Sequence, residues 1–308
     1  MLPHLVEING NDRYLCKEQG FLCVMNEGKR LGRLPLDDLS MVLVAGYGTV
    51  ISANLLSALA ERCVPVVFCN SGMRPVSISL PLEGHHLQSL RMRQQVSASL
   101  PLQKRLWQSI IAAKINLQAQ LAEALNQKAG HLKELAKAVR SGDSGNCEAT
   151  AAALYWPLCF GKNFRRDRDE PTVNALLNYA YAILRAATAR AIVLSGLHPA
   201  FGMFHHNSRN SMPLADDLME PFRPVADMLV LSLVHGGKTE LDTESKQFLA
   251  ALIHTDMRLC GEISPVSVCL QRLATSLAEV YAGEKNSLTL PEKLIPAQSL
   301  EEYRHERA

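Results

Sequence analysis

The sequence predicts an α+β protein in which a small, mainly β domain precedes a larger helical one. Up to about residue 80, short apolar runs alternate with turn signals, whereas from about residue 87 apolar residues recur at three- and four-residue steps. Composition sets the class: 308 residues, 47% hydrophobic and 20% charged, are globular rather than disordered or fibrous. The expected division is a mainly β domain over 1–80, a linker over 81–88, a helical domain over 89–285 and a polar tail over 286–308.

Leu5 to Ile8 is followed by Asn9-Gly10-Asn11-Asp12, Phe21 to Met25 by Asn26-Glu27-Gly28, and Met41 to Ala45 by Gly46. Each run reads as a strand of a hairpin-rich sheet. From Ser52 to Arg62, Leu55, Leu56 and Leu59 take helical spacing with Ser52 as N-cap, and Val64 to Cys69 returns to strand. Beyond the linker, Trp107, Ile111, Ile115, Leu121 and Leu125 form one apolar stripe. Further helices are expected at 146–157, 172–195, 214–235, 243–257 and 265–283, divided by Gly, Pro, Asn and Ser clusters.

Several classes are excluded. No run of about 18 uncharged apolar residues is present, so no membrane span is expected. The start MLPHLVEINGNDRY lacks the parts of a secretory signal, which makes a cytoplasmic protein the expectation. Eight cysteines without a CxxC pair should be reduced and buried. Net charge is only +2, so any DNA contact rests on local basic patches. Gly46-Tyr47-Gly48 lies between a strand and a helix, as a dinucleotide-binding turn does, but position 51 is Ile where a third glycine is needed. No Ser-centred elbow, P-loop or HExxH is present, so those hydrolase, ATPase and metalloprotease readings lack their residues.

The densest chemistry runs from Gly196 to Asp227, where His198, His205 and His206 precede Asp216, Asp217, Glu220 and Asp227. If 214–220 is helical, Asp216 and Glu220 share a face with Asp217 close by. A His and carboxylates meeting there suit Mg²⁺ or Mn²⁺, while the bland reading is a solvated acidic helix start. Glu148 stands in GNCEATAAALYWPLCF, where it either caps a helix or supplies a third ligand from another helix. Asn178, Tyr179 and Tyr181 lie on an apolar helix, as core or as site residues. Lys162, Arg165, Arg166 and Arg168 form a basic loop partly cancelled by Asp167, Asp169 and Glu170; it is either solvated or in contact with DNA phosphates.

LGRLPLDDLSMVLV, Glu148 ahead of AAALYW, VNALLNYAYAILR and HPAFGMFHHNSRNSMPLADDLMEPFRPVAD together resemble the CRISPR-associated integrase family that captures new spacers, most closely its type II branch. The resemblance spans most of the chain. It implies a β-sandwich-like N-terminal domain, an all-α catalytic domain, and Glu148, His205 and Glu220 as ligands of Mg²⁺ or Mn²⁺, converging on one point. Cys147-Glu148-Ala149 stands where the family often has a glycine-containing surround. A homodimer is also implied, two such dimers being bridged by a dimer of a small companion adaptation protein. The implied chemistry is attack of a DNA 3′-hydroxyl on a repeat phosphodiester, which inserts short duplexes into the array. Two other readings of the same residues are a metal-dependent nuclease of repair or RNA processing, and a DNA-binding scaffold whose acidic residues cap helices.

Overall fold

The computed structural model describes residues 4–70, 75–167, 170–205, 207 and 209–296. The chain divides into two compact units, 1–86 and 87–308. In the first, β1 (His4–Ile8), β2 (Tyr14–Glu18), β3 (Phe21–Asn26), β4 (Lys29–Pro35), β5 (Leu39–Val44) and β6 (Val50–Ile51) precede α1 (Ala53–Glu61), β7 (Val66–Cys69) and β8 (Pro75–Ser79). They form two four-stranded sheets, β4-β3-β2-β6 and β1-β5-β7-β8.

The first sheet is built from hairpins. Gln19-Gly20 and Glu27-Gly28 are two-residue loops with positive φ throughout, the backbone that matches strand twist. The second sheet departs from the hairpin expectation, because β1–β5 and β5–β7 pair in parallel. All six residues of β5 are buried, as a central strand covered on both faces requires. Ile8, Leu15, Leu22, Val42, Leu55 and Leu59 join both sheets and α1 in one core, which gives the sandwich-like character. Ser52 Oγ accepts the Leu55 amide at 3.3 Å, the expected N-cap. Gly46 is explained by packing: a Cβ there would collide with the Gly10 carbonyl.

The second unit contains α2 (Gln88–Val96), α3 (Leu100–Ala124), α4 (Gly130–Ala138), α5 (Cys147–Phe160), α6 (Val173–Leu194), α7 (Pro213–Met219), α8 (Arg223–His235), α9 (Thr243–Ala250) and α10 (Val266–Tyr281). The stretch expected as one helix over 214–235 is broken by a 3₁₀ turn at Glu220–Phe222, where Pro221 and Pro224 each remove an amide from the ladder. A small sheet, β10 (Glu262–Pro265), β9 (Asp256–Leu259) and β11 (Lys293–Leu294), joins the helices. The helical unit is thus not purely α. It also takes in the start of the expected tail: Leu294 is buried, and its amide donates to Gln120 Oε1 on α3. The rest of that tail, 297–308, lies outside the described residues.

The eight cysteines are all free, with Cys23, Cys147, Cys159 and Cys269 buried and Cys260 exposed. No helix among the described residues is long and apolar enough to cross a membrane.

Candidate active site

The site is assembled around α3. Its apolar stripe, Trp107, Ile110, Ile111, Ile115 and Leu121, is buried, and Lys114 sits within it at 7% exposure. An ammonium at such depth needs anionic partners. Lys114 Nζ lies 2.6 Å from Glu148 Oε1 and 2.6 Å from Glu220 Oε2.

Glu148 arrives in the first turn of α5. It is not the helix cap: Asp143, held by a left-handed turn at Gly142 and Asp143, accepts the Cys147 amide at 2.9 Å and the Glu148 amide at 3.0 Å. That leaves the Glu148 carboxylate for Lys114. Glu220 arrives from the 3₁₀ turn, nearly fully buried, with Arg223 Nε 3.0 Å from its Oε1. Its contacts are unequal to those of Glu148. Lys114 donates a hydrogen bond to Glu148, but its contact with Glu220 Oε2 lacks hydrogen-bond geometry and leaves that buried oxygen without a donor.

His205 is held by Asp217. The wholly buried Asp217 carboxylate accepts the amides of Met203 (2.6 Å), Phe204 (3.1 Å) and His205 (3.3 Å), and one of its oxygens lies 2.6 Å from His205 Nδ1. A proton on Nδ1 completes that last bond and leaves the Nε2 lone pair as the ring's donor. Gly202 allows the loop to close, since a Cβ there would press on the His205 carbonyl and Pro213. Phe204 stacks on buried Trp107 at 4.3 Å between ring centroids, and His205 meets both rings edge-on.

The charges are mutually adjusted. The hydrogen bond that His205 donates to Asp217 holds the imidazole above its ordinary pKa against burial, with Glu220 and Glu148 adding to the effect. Burial would raise the Glu220 carboxyl, but Arg223 and Lys114 overcome it and lower its pKa. Burial likewise opposes the Lys114 charge, and Glu220 and Glu148 outweigh it, so its pKa is raised.

Behind this cluster, Tyr155 and Tyr181 donate to the two oxygens of buried Asp227 at 2.7 and 2.6 Å. Burial pushes the Asp227 carboxyl up to about 6 despite those bonds. Arg223 lies over the Tyr181 ring at 4.8 Å, linking this pair to Glu220.

The other residues singled out in the sequence fall elsewhere. Asp216 pairs with Arg185 at 2.7 and 3.2 Å rather than with the Lys114 cluster. His198 is exposed, with Nδ1 accepting the Ala200 amide. Tyr179 is buried beside Lys246. Arg166 donates to Asn174 and Asn178, which ties that part of the basic loop to α6, while Lys162 and Arg165 are exposed. His206, Arg168 and Asp169 lie outside the described residues.

The convergence expected of Glu148, His205 and Glu220 is incomplete. Among the described residues no three His, Cys, Asp or Glu side chains approach closely enough to hold a metal ion. The physical reason is Lys114, whose ammonium lies between the two carboxylates. The donor set nevertheless fits a hard divalent cation: two carboxylates, one oriented imidazole, and a buried Glu220 oxygen without a hydrogen-bond donor.

Sequence reasoning missed Lys114, Arg223 and Asp143 and did not distinguish the roles of Asp216 and Asp217. Lys114 carried a signal, being a lone cation in the Ile110-Ile111-Ile115 stripe.

Comparisons with known proteins agree with this architecture. A family model described as CRISPR associated protein Cas1 matches residues 6–258. A CRISPR-associated endonuclease Cas1 from Neisseria meningitidis is 40% identical over 278 residues, covering 89% of this chain and 90% of the relative. Another, from Thermus thermophilus, is 31% identical and covers 71% and 72%. Among solved structures, a casposase bound to integration product superposes with a TM-score of 0.79 at 19% identity, covering 92% of each chain. A Cas1 protein from Thermotoga maritima gives 0.73 at 17% identity, covering 94% of this chain and 100% of that one; these two likenesses speak to the fold. On the family model and the Neisseria relative together, the chain belongs to the CRISPR-associated protein Cas1 family.

Proposed function

We propose that this chain is a metal-dependent DNA endonuclease and integrase that inserts short duplexes into a CRISPR repeat array. The observation that carries the reading is the meeting of Glu148 from α5 and Glu220 from the 3₁₀ turn on one buried cation, beside an imidazole fixed by Asp217. Identity to the Neisseria relative fits the type II-like branch. The casposase that shares its fold was solved with an integration product, and another chain that shares it belongs to a Cas6-RT-Cas1–Cas2 complex (TM-score 0.74, 18% identity, 95% of this chain and 36% of that one). The first supports DNA as a partner and the second a companion protein; a homodimer as the working unit is part of the proposal.

Glu148, Glu220 and His205 Nε2 are the groups that would hold Mg²⁺ or Mn²⁺. When bound, such an ion supplies positive charge to a phosphodiester under attack and favours the deprotonated nucleophile. The chain's own residues do the rest. Asp217 fixes the tautomer and angle of His205, and Arg223 holds Glu220 by its other oxygen. In the reaction a P–O bond forms to the incoming 3′-oxygen as the repeat strand's P–O3′ bond breaks. The proton of the attacking hydroxyl passes to solvent, and solvent supplies one to the departing 3′-oxygen. Lys162 and Arg165, exposed on the basic loop, are candidates for backbone phosphate contacts.

The test is an integration assay on a supercoiled array plasmid, with the companion protein and duplexes ending in 3′-hydroxyl or 3′-deoxy groups. Joined products from the 3′-hydroxyl duplex alone are expected. Cutting without joining, whatever the end, would point to a plain nuclease.

A further inference from the structure

Lys114 is not among the candidate ligands, yet it makes two of the shortest contacts in the site. Its ammonium touches both carboxylates at 2.6 Å while only 7% exposed, and Arg223 takes the remaining oxygen of Glu220. We propose that Lys114 is the site's resident cation, holding Glu148 and Glu220 together before a metal arrives and giving up its place between them when a divalent ion enters. This rests on the metal reading above.

The reasoning is one of charge and space. Two carboxylates facing each other, one buried and one partly exposed, repel unless a cation separates them, and Lys114 serves that purpose. The ammonium is bound asymmetrically. It donates a hydrogen bond to Glu148, whereas the equally short contact with Glu220 Oε2 is poorly aligned, which leaves that oxygen the freer of the two to turn to a metal. Lys114 and Arg223 already balance the two carboxylates, so a divalent ion that displaces the Lys114 ammonium only to the edge of the site leaves an excess of positive charge. A DNA phosphodiester is the anion that would neutralise it. Metal binding should therefore be weak in the free protein and strengthened by DNA, with Lys114 as the source of the coupling. By the same account Lys114 is a positioning residue in the free protein, its ammonium released towards the more exposed Glu148 side once the ion is in place.

The experiment measures Mn²⁺ affinity by calorimetry on the full chain, with and without a short blunt duplex of arbitrary sequence. It compares the unaltered protein with Lys114→Met, Glu148→Gln and Glu220→Gln. The unaltered chain should bind Mn²⁺ at least about tenfold more tightly with DNA present. Lys114→Met should bind it about tenfold more tightly than the unaltered chain without DNA and lose most of the DNA enhancement; in EDTA its melting temperature should fall. A second measurement needs no substitution: reductive methylation with peptide mass spectrometry should find Lys114 protected in EDTA and modified when Mn²⁺ is saturating. If Mn²⁺ binding needs both glutamates but is indifferent to Lys114→Met, or if Lys114 stays protected in saturating Mn²⁺, the proposal is overturned and the metal reading stands. Mn²⁺ binding that is absent, or unaffected by both glutamate substitutions, overturns the metal reading and the proposal together. A Lys114→Met chain that folds only with Mn²⁺ counts in favour; if it folds in neither condition, the methylation result decides.

Discussion

At the residue scale, Asp217 and Asp227 carry the most exposed consequences. Asp217 gathers three amides and one imidazole on a buried carboxylate, so Asp217→Ala leaves several donors unpaired. Its expected cost is about 3 kcal/mol of stability, together with loss of strand-joining activity, read by denaturant titration and an integration assay. Asp227 acts through pH. Its carboxyl has an ordinary value of 3.8 and is pushed to about 6 in the fold, so the folded chain binds the proton more tightly than the unfolded one. The associated stability is fully present below the unfolded value and is lost as pH rises through about 6. Asp227→Asn, which cannot ionise, should therefore gain on the order of 2 to 3 kcal/mol relative to the unaltered chain between about pH 4 and about pH 7. Parallel pH profiles for the two chains would contradict it. These residue roles were only partly legible in the sequence. Asp217 and Asp227 stood out as charges among apolar helices, but which of Asp216 and Asp217 faces His205 depends on where α7 starts, and Arg185 settles that from another helix.

At the scale of elements, the position of Glu148 depends on the start of α5. Asp143→Ala removes the acceptor for the Cys147 and Glu148 amides and should cost about 1 kcal/mol, seen as a lower melting temperature with a proportionate fall in activity. Gly202→Ala should be more disruptive at the site than in the fold. Its Cβ would press on the His205 carbonyl and approach Asp217, so activity should drop by an order of magnitude or more while far-UV circular dichroism stays unchanged. Helices with long apolar stripes, such as α3 and α6, were legible because period and length agreed. The break at Glu220–Phe222 was not, because an apolar helical pattern continues through Pro221 and Pro224 even though each removes an amide. The β9–β10 hairpin was also hidden. Its strands are four residues each, too short for alternation to stand out beside α9 and α10.

At the scale of the molecule, the change of hydrophobic period near residue 87 coincides with the division into two units, and each unit has a core of its own kind. The parallel pairing of β1, β5 and β7 was beyond the sequence pattern, since strand runs do not reveal which neighbours they choose. Assembly is a property of the whole chain, and the homodimer belongs to the proposed function: light scattering at micromolar concentration should give twice the chain mass, and a monomer mass would count against it. The central claim is that Glu148, His205 and Glu220 form a divalent-metal centre for joining DNA strands. The measurement that tests it most directly is the integration rate of Glu148→Ala in saturating Mg²⁺ or Mn²⁺, on protein whose melting curve confirms that it is folded. The account predicts that joined products vanish while the fold persists; joined products at a near-normal rate would contradict it.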